Sequence, residues 1–249
     1  MKTYILGDIH GAYKALIQCL ERSDFNKKED LLITLGDIVD GWSQSVECID
    51  ELLTIKNRID IKGNHDYWAE EYLKFGVTPS IWLSQGGSAT LESYLKMLGT
   101  DCAKEKSEQH RKFFKDQHYY YIDDKNRLFV HGGFDWKIDF KNNQPHDMMW
   151  DRHAFQTACQ WETFSRVHPT EEKTYFKEFR EVFVGHTATN GRNGWRIEPT
   201  DKPLHVSNLW NLDQGAGWFG KLTIMNVDTK EYWQSDNVND LYPDEKGRR

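Results

Sequence analysis

Asp8, His10, Asp37, Asn64, His131 and His186 combine the side-chain types and the placement needed to hold metal ions. They sit in Gly7-Asp8-Ile9-His10, Gly36-Asp37-Ile38-Val39-Asp40, Gly63-Asn64-His65-Asp66, His131-Gly132-Gly133 and Gly185-His186-Thr187. The first three segments follow apolar runs and carry glycine just before the donor. That arrangement delivers oxygen and imidazole donors to the mouths of strands, where two ions could assist a hydrolysis. The mixed donor set suits Mn²⁺, Fe or Zn²⁺ better than Ca²⁺, which prefers oxygen alone. Asp8 and His10 stand one residue apart, so an extended backbone would point both to the same side. The Asp37 carboxylate has two oxygens and could bridge two ions. Each segment alone has a plainer meaning: an Asp after Gly is commonly a turn residue or helix cap, and a lone His a structural one. Their recurrence, at about one strand-helix repeat apart in the first three cases, argues for a shared site.

The elements that must position these donors can be read from hydrophobic periodicity. Tyr4-Ile5-Leu6 predicts a buried strand, followed by a helix over Ala12 to Arg22 with Ala15, Leu16, Cys19 and Leu20 on one face. Leu31 to Leu35 predicts a second strand. Ser43 or Ser45 can cap the next helix, striped by Val46, Ile49, Leu52 and Leu53. Ile59-Asp60-Ile61 reads as a third strand. Short connections between them mean βαβ units and a largely parallel start. Residues 67 to 117 look mostly helical, broken at Gly76 to Pro79 and at Gln85-Gly86-Gly87. Tyr119 to Ile122 and Leu128 to Val130 read as strands paired around Asp123 to Asn126. Residues 134 to 180 read as a covering segment rather than a separate domain. Val182 to Val184 is then a strand. Trp195 to Glu198, Leu204 to Val206, Leu209 to Leu212, Leu222 to Val227 and Glu231 to Gln234 resemble antiparallel strands. One domain over 1–240 is expected, with 241–249 a flexible tail.

With 249 residues, the chain can bury a sizeable core. Mean hydropathy is −0.77, but 14% of residues are aromatic, which excludes an intrinsically disordered chain. A formal charge of −7 argues against a surface that tracks nucleic-acid backbone. It leaves room for a small phosphorylated ligand, since divalent ions would reverse the local sign. Cys19, Cys48, Cys102 and Cys159 are scattered and fit a reducing compartment. Met1 to Leu6 run directly into the first motif, so no signal peptide is expected. No apolar stretch approaches the ~20 residues of a membrane span. A cytoplasmic protein without membrane partners is the expectation.

The set Gly-Asp-x-His, Gly-Asp-x-x-Asp, Gly-Asn-His-Asp, His-Gly-Gly and Gly-His-Thr resembles the calcineurin-like metallophosphoesterases. Among them it is most similar to compact bacterial and phage members of the phosphoprotein phosphatase family. Asn211-Leu212-Asp213-Gln214-Gly215-Ala216 and Gly220-Lys221-Leu222-Thr223 are similar to that family's Asp-x-Gly-Ala…Gly-x-Leu-Thr segment. Gln85-Gly86-Gly87-Ser88-Ala89-Thr90-Leu91 resembles a segment of bacterial relatives. The likeness runs from Asp8 to about Val227. It implies an α/β fold, a β-sandwich flanked by helices with a βαβαβ start and two divalent ions, most simply Mn²⁺, at the strand C-terminal ends. By resemblance Asp8 and His10 hold the first ion, Asp37 bridges, and Asn64, His131 and His186 hold the second. His65 would protonate the leaving oxygen, Asp40 would tune it toward imidazolium, and a metal-bridging hydroxide would attack phosphorus. Arg152, in Met149-Trp150-Asp151-Arg152, matches a segment whose guanidinium grips phosphate, with Asn64 beside it.

One position departs from that pattern. The family usually carries Arg-Gly after the second Asp, where this chain reads Asp40-Gly41-Trp42. One phosphate clamp is therefore missing or supplied from elsewhere, with Arg192 or Arg196 as candidates. Trp42 could stack on a base or phenol ring, though packing is the simpler role. Lys62 stands where many relatives have Arg, and Met97, Met148 and Met149 read as core. The resulting expectation is a serine/threonine phosphatase-like enzyme acting on a phosphorylated protein or small phosphorylated substrate. The alternatives are a hydrolase of dinucleoside polyphosphates, nucleotides or RNA 5′ phosphates, and a catalytically silent phosphate-binding module.

Overall fold

The computed structural model describes residues 1–168, 175–191 and 199–248. Its first half follows the apolar runs. Strands β1 (Thr3–Leu6) and β2 (Leu31–Thr34) each bury three of four residues. The helix between them, α1 (Tyr13–Arg22), turns Ala15, Leu16, Cys19 and Leu20 inward. Helix α2 (Ser45–Leu53) buries Val46, Ile49 and Leu52 and leads to β3 (Asn57–Asp60). The three strands are parallel, in the register Tyr4–Leu32–Arg58. Next come α3 (Asn64–Phe75), α4 (Ser80–Trp82), a kinked turn through Leu83–Gly87, α5 (Ser88–Leu98) and α6 (Ala103–Asp116).

A hairpin of β4 (Tyr120–Ile122) and β5 (Arg127–Val130) opens the second half. Helices α7 (Pro145–Trp150) and α8 (His153–Val167) follow, then β6 (Glu181–Val184), β7 (Leu204–Val206), β8 (Leu209–Asn211), β9 (Thr223–Asn226), β10 (Tyr232–Gln234) and α9 (Val238–Leu241). The strands form two sheets, ordered β10-β9-β1-β2-β3 and β4-β5-β6-β8-β7. Ile5, Ile33, Leu35 and Ile61 meet Phe129, Phe183 and Leu212 between them. The Phe129 and Phe183 rings stack there at 4.9 Å. Helices α1, α2, α3 and α5 cover the outside of the first sheet. Over the second sheet lies the segment read as a cover, where Phe134, Phe140, Phe155, Phe176 and Phe179 pack on Val130, Val182 and Val184.

The βαβαβ start and the helix-flanked pair of sheets match the sequence expectation. Met97, Met148 and Met149 are buried, as expected. Among the described residues, no helix is long and apolar enough to cross a membrane. Three local readings need correction. β8 pairs antiparallel with β7 as expected, but its other neighbour, β6, runs parallel to it; alternation reveals that a segment is a strand but not which neighbours it pairs with. Neither Ser43 nor Ser45 caps α2: its N-cap is Gln44, and the Ser43 amide and hydroxyl instead donate to the Glu245 carboxylate. The segment expected to trail as a flexible tail lies against the body. Tyr242 is buried, stacks on Trp42 at 5.2 Å, and its hydroxyl accepts from the Lys14 amide. The Arg248 amide donates to the Gly217 carbonyl. Polar composition hid this docking because Ser43 and Lys14, which Glu245 and Tyr242 meet, lie 202 and 228 residues earlier. The strand expected at 195–198 and the candidates Arg192 and Arg196 lie outside the described residues.

Replacing Phe183 with alanine would remove one of the two stacked rings between the sheets. Phe183→Ala is expected to lower unfolding stability by about 3–5 kcal/mol, read from the urea midpoint.

Candidate metal centre

Every sequence-derived donor leaves its strand within a few residues, and the loops that carry them are tied together by backbone. The Ile9 and His10 amides both donate to the Asp37 carbonyl, and the Gly185 amide to the His131 carbonyl. His10, Asp37, Asp40 and His186 adopt positive φ, between 51° and 74°. His10 therefore turns out of the strand rather than continuing it, and the bend brings its ring beside Asp37 and His65. Glycine is obligatory where loops touch. A Cβ on Gly63 would sit 2.1 Å from Asp37 Oδ1, and one on Gly185 2.1 Å from Asp8 Oδ1.

The donors converge. His10, Asp37 and His65 place ligand-type atoms within 4.8 Å of one another, and so do Asp37, His131 and His186. Asp37 belongs to both groups: its Oδ2 lies 3.6 Å from His10 Nε2 and 3.4 Å from His131 Nε2. Asn64 Oδ1 lies 3.2 Å from His131 Nε2. Two imidazoles are oriented by carbonyls behind them, His10 Nδ1 on Val39 at 3.2 Å and His131 Nδ1 on Leu35 at 2.7 Å. Each therefore turns Nε2 to the site, the tautomer that metal ligation needs. Asp8 Oδ2 accepts from the His186 amide at 2.9 Å, whereas Asp8 Oδ1 and His65 Nε2 are buried without a partner. Buried polar atoms rarely go unsatisfied, so these two are fitted to something that binds there. Divalent ions fit this donor set.

Electrostatics follow from burial. It pushes the Asp8 carboxyl well up, helped by nearby Asp213, and pushes His10 down to about 3, helped by Arg248. His131 goes the other way: burial opposes it, but the Asp37 carboxylate raises it to about 9. His65 is held well below its ordinary value by burial and then by Arg248. The carboxylate that pulls His65 upward is Asp37, and burial outweighs it. Asp40 itself is strongly held. Its Oδ2 accepts from Trp82 Nε1 at 2.6 Å and faces His65 Nδ1 at 2.7 Å, and its Oδ1 accepts from Thr90 at 2.7 Å. Arg152 donates through Nη1 to the His186 carbonyl at 2.6 Å and to Thr187 Oγ1 at 3.0 Å. It lines a cavity of about 320 Å³ with His10, Gln85, His186, Asp213, Trp218 and Arg248.

A family model described as calcineurin-like phosphoesterase matches residues 1–190. The chain is a calcineurin-like phosphoesterase. A symmetrical bis(5′-nucleosyl)-tetraphosphatase of Buchnera aphidicola is 43% identical over 67 residues, covering 26% of this chain and 24% of that one. Serine/threonine-protein phosphatase 2 of Escherichia coli is 37% identical over 84 residues, or 34% and 38% of the two chains. The aligned part thus spans about a quarter to two fifths of these curated relatives. Among solved structures, one titled as a putative diadenosine tetraphosphatase superposes with a TM-score of 0.62 at 15% identity, covering 95% of this chain and 93% of that one. A serine/threonine phosphatase of Saccharomyces cerevisiae gives 0.55 at 13% identity, covering 100% and 83%. At such identities these structures speak to fold alone.

The phosphoesterase also uses residues to which the sequence reading gave no role. Trp82 and Thr90 hold Asp40; the Gln85 to Leu91 motif flagged the segment but not its target. Asp66 receives the Ile38 amide at 2.8 Å, the Gly63 amide at 3.1 Å and Gln117 Nε2 at 3.0 Å. One carboxylate thereby joins the Asp37 and Asn64 loops. Trp42 is fully buried and donates to the Ala216 carbonyl at 2.7 Å, so it packs and cannot stack on a substrate. Lys62 is buried in an ion pair with Glu70. Asp66→Ala leaves three donors unsatisfied and is expected to cost on the order of 3 kcal/mol in denaturant unfolding.

Proposed function

We propose that the protein is a binuclear-metal phosphatase that hydrolyses phosphomonoesters, acting on phosphoserine and phosphothreonine in proteins. The observation that carries this reading is Asp37, whose Oδ2 lies between the nitrogens of His10 and His131. One carboxylate shared by two donor groups is what a pair of ions needs. Asp8 and His10 would hold the first ion and Asn64, His131 and His186 the second, with Asp37 common to both. Mn²⁺ suits this oxygen and nitrogen set, and Fe or Zn²⁺ would also fit it. When bound, the ions would lower the pKa of a coordinated water and neutralise phosphoryl oxygens.

The chain's own side chains supply the rest. His65 keeps Nδ1 on Asp40 and leaves Nε2 without a partner, so Nε2 is the atom assigned to carry a proton to the leaving oxygen. Asp40, fixed by Trp82 and Thr90, orients the ring. Burial holds His65 neutral, and a bound phosphate dianion would offset the nearby Arg248 charge and favour the proton it must donate. Arg152, anchored on the His186 carbonyl, would set a guanidinium against phosphate oxygens. Asn64 would offer its amide beside them.

A second reading, hydrolysis of dinucleoside polyphosphates, is favoured by the 43% identity to a symmetrical tetraphosphatase and by glycine at position 41. A substrate panel with Mn²⁺ separates the two. Phosphopeptides are expected to turn over faster than diadenosine tetraphosphate, and the reverse order would establish the second reading. Prior chelation should abolish activity, and Mn²⁺ should restore it. His65→Asn is expected to slow alkyl phosphoesters by about 10²- to 10⁴-fold in kcat, and p-nitrophenyl phosphate, whose leaving group needs little protonation, far less.

A further inference from the structure

Arg248 enters the cavity from the segment after α9, 238 residues from the His10 it touches. Its Nη1 lies 3.3 Å from His10 Nε2, and its Nη2 donates to Gln85 Oε1 at 3.0 Å. The guanidinium lies 5.3 Å from the centre of the Trp218 ring. Its buried Nε has, among the described residues, no hydrogen-bond partner. Among the described residues, no carboxylate forms an ion pair with it.

The slot that holds its stem is made by missing side chains. A Cβ on Gly41 would fall 2.9 Å from Arg248 Cγ, one on Gly86 3.3 Å from the same atom, and one on Gly217 2.7 Å from Cδ. Gly41 is the position at which the resemblance leads one to look for an arginine. The Gly41 amide is fixed on the Gly86 carbonyl at 3.1 Å, and the Arg248 amide on the Gly217 carbonyl at 3.0 Å. Tyr242 on Trp42 and Glu245 on Ser43 anchor the strand of chain that leads to it. A guanidinium has five N–H donors, and here Gln85 Oε1 and His10 Nε2 engage two of its nitrogens. That leaves donors over for a guest.

We infer that Arg248 is the second guanidinium of the phosphate site, reaching from the far end of the sequence into the space left by Gly41. Together with Arg152 it would grip phosphoryl oxygens from another side of the same cavity. The contact to His10 supports this. A cation on His10 Nε2 and a guanidinium on the same atom exclude one another by charge, so metal loading makes Arg248 seek an anion. The inference rests on the phosphatase reading of the site.

The test uses the full chain and the variants Arg248→Met and Arg248→Lys. Methionine keeps an apolar stem in the glycine slot, whereas lysine keeps charge without the planar fork. Inorganic phosphate binding to the Mn²⁺-loaded protein is measured by calorimetry, beside Mn²⁺ stoichiometry, melting temperature, and KM and kcat on p-nitrophenyl phosphate. Arg248→Met is expected to weaken phosphate binding about 10- to 100-fold with the same Mn²⁺ stoichiometry and melting temperature, and Arg248→Lys to recover part of it. Phosphate affinity unchanged within twofold in Arg248→Met would overturn the assignment. So would tighter phosphate binding or a higher kcat/KM, which would mark the guanidinium as an obstruction. If the parent protein binds phosphate in an Arg248-dependent way but cleaves no ester, the hydrolase reading fails and this assignment stands.

Discussion

The site depends on burying the Asp37 carboxylate among four imidazoles with, among the described residues, no lysine or arginine bonded to it. Such a charge is costly inside a protein unless nearby cations or N–H groups repay its desolvation. Here His131 is raised to about 9 beside it, and the His65 amide donates to its other oxygen at 3.0 Å. Everything around Asp37 is arranged to keep those partners at hand. Gly36 and Gly63 let its loop approach the next one, and Asp66 pins both loops through their amides. The parallel β1-β2-β3 core sets the three strand ends side by side. The second sheet, pressed against the first through Phe129 and Phe183, brings His131 and His186 across the gap.

Around that centre, neighbouring side chains hold the donors in place. Asp40 is held from three sides and in turn holds one ring. The kinked turn at Leu83–Gly87 exists to carry Trp82 and Thr90 to Asp40 from opposite flanks, with Gly86 at φ 103° between them. The aromatic cover on the second sheet brings Trp150 and Arg152 to the rim, where the Trp150 carbonyl lies 3.3 Å from His186 Nε2. Local geometry at the centre is thus set by segments far apart in the chain, which makes the site a product of the whole fold.

What the sequence disclosed was whatever chemistry demands by residue type. Asp8, His10, Asp37, Asn64, His131 and His186 stood out because apolar runs and glycines placed them at strand ends, and all six meet in one region. What stayed hidden was of another kind. Trp82, Thr90 and Asp66 are ordinary residues whose importance lies in the atom they face. Arg248 sits in a polar stretch that periodicity reads as tail, and its neighbours Gly41, Gly86 and Gly217 are informative only once they are seen together. Parallel pairing of β6 with β8 was equally unreadable, since a three-residue strand carries no sign of its neighbour. The same blindness produced the wrong cap for α2, where Glu245 takes the serine that a local rule would have used.

Of the non-glycine residues described with positive φ, His10, Asp37, Asp40 and His186 all belong to the centre. Left-handed backbone at such residues raises the energy of the folded chain by on the order of 1–3 kcal/mol each. The packed sheets must therefore hold this strain continuously, whether or not any ion is present.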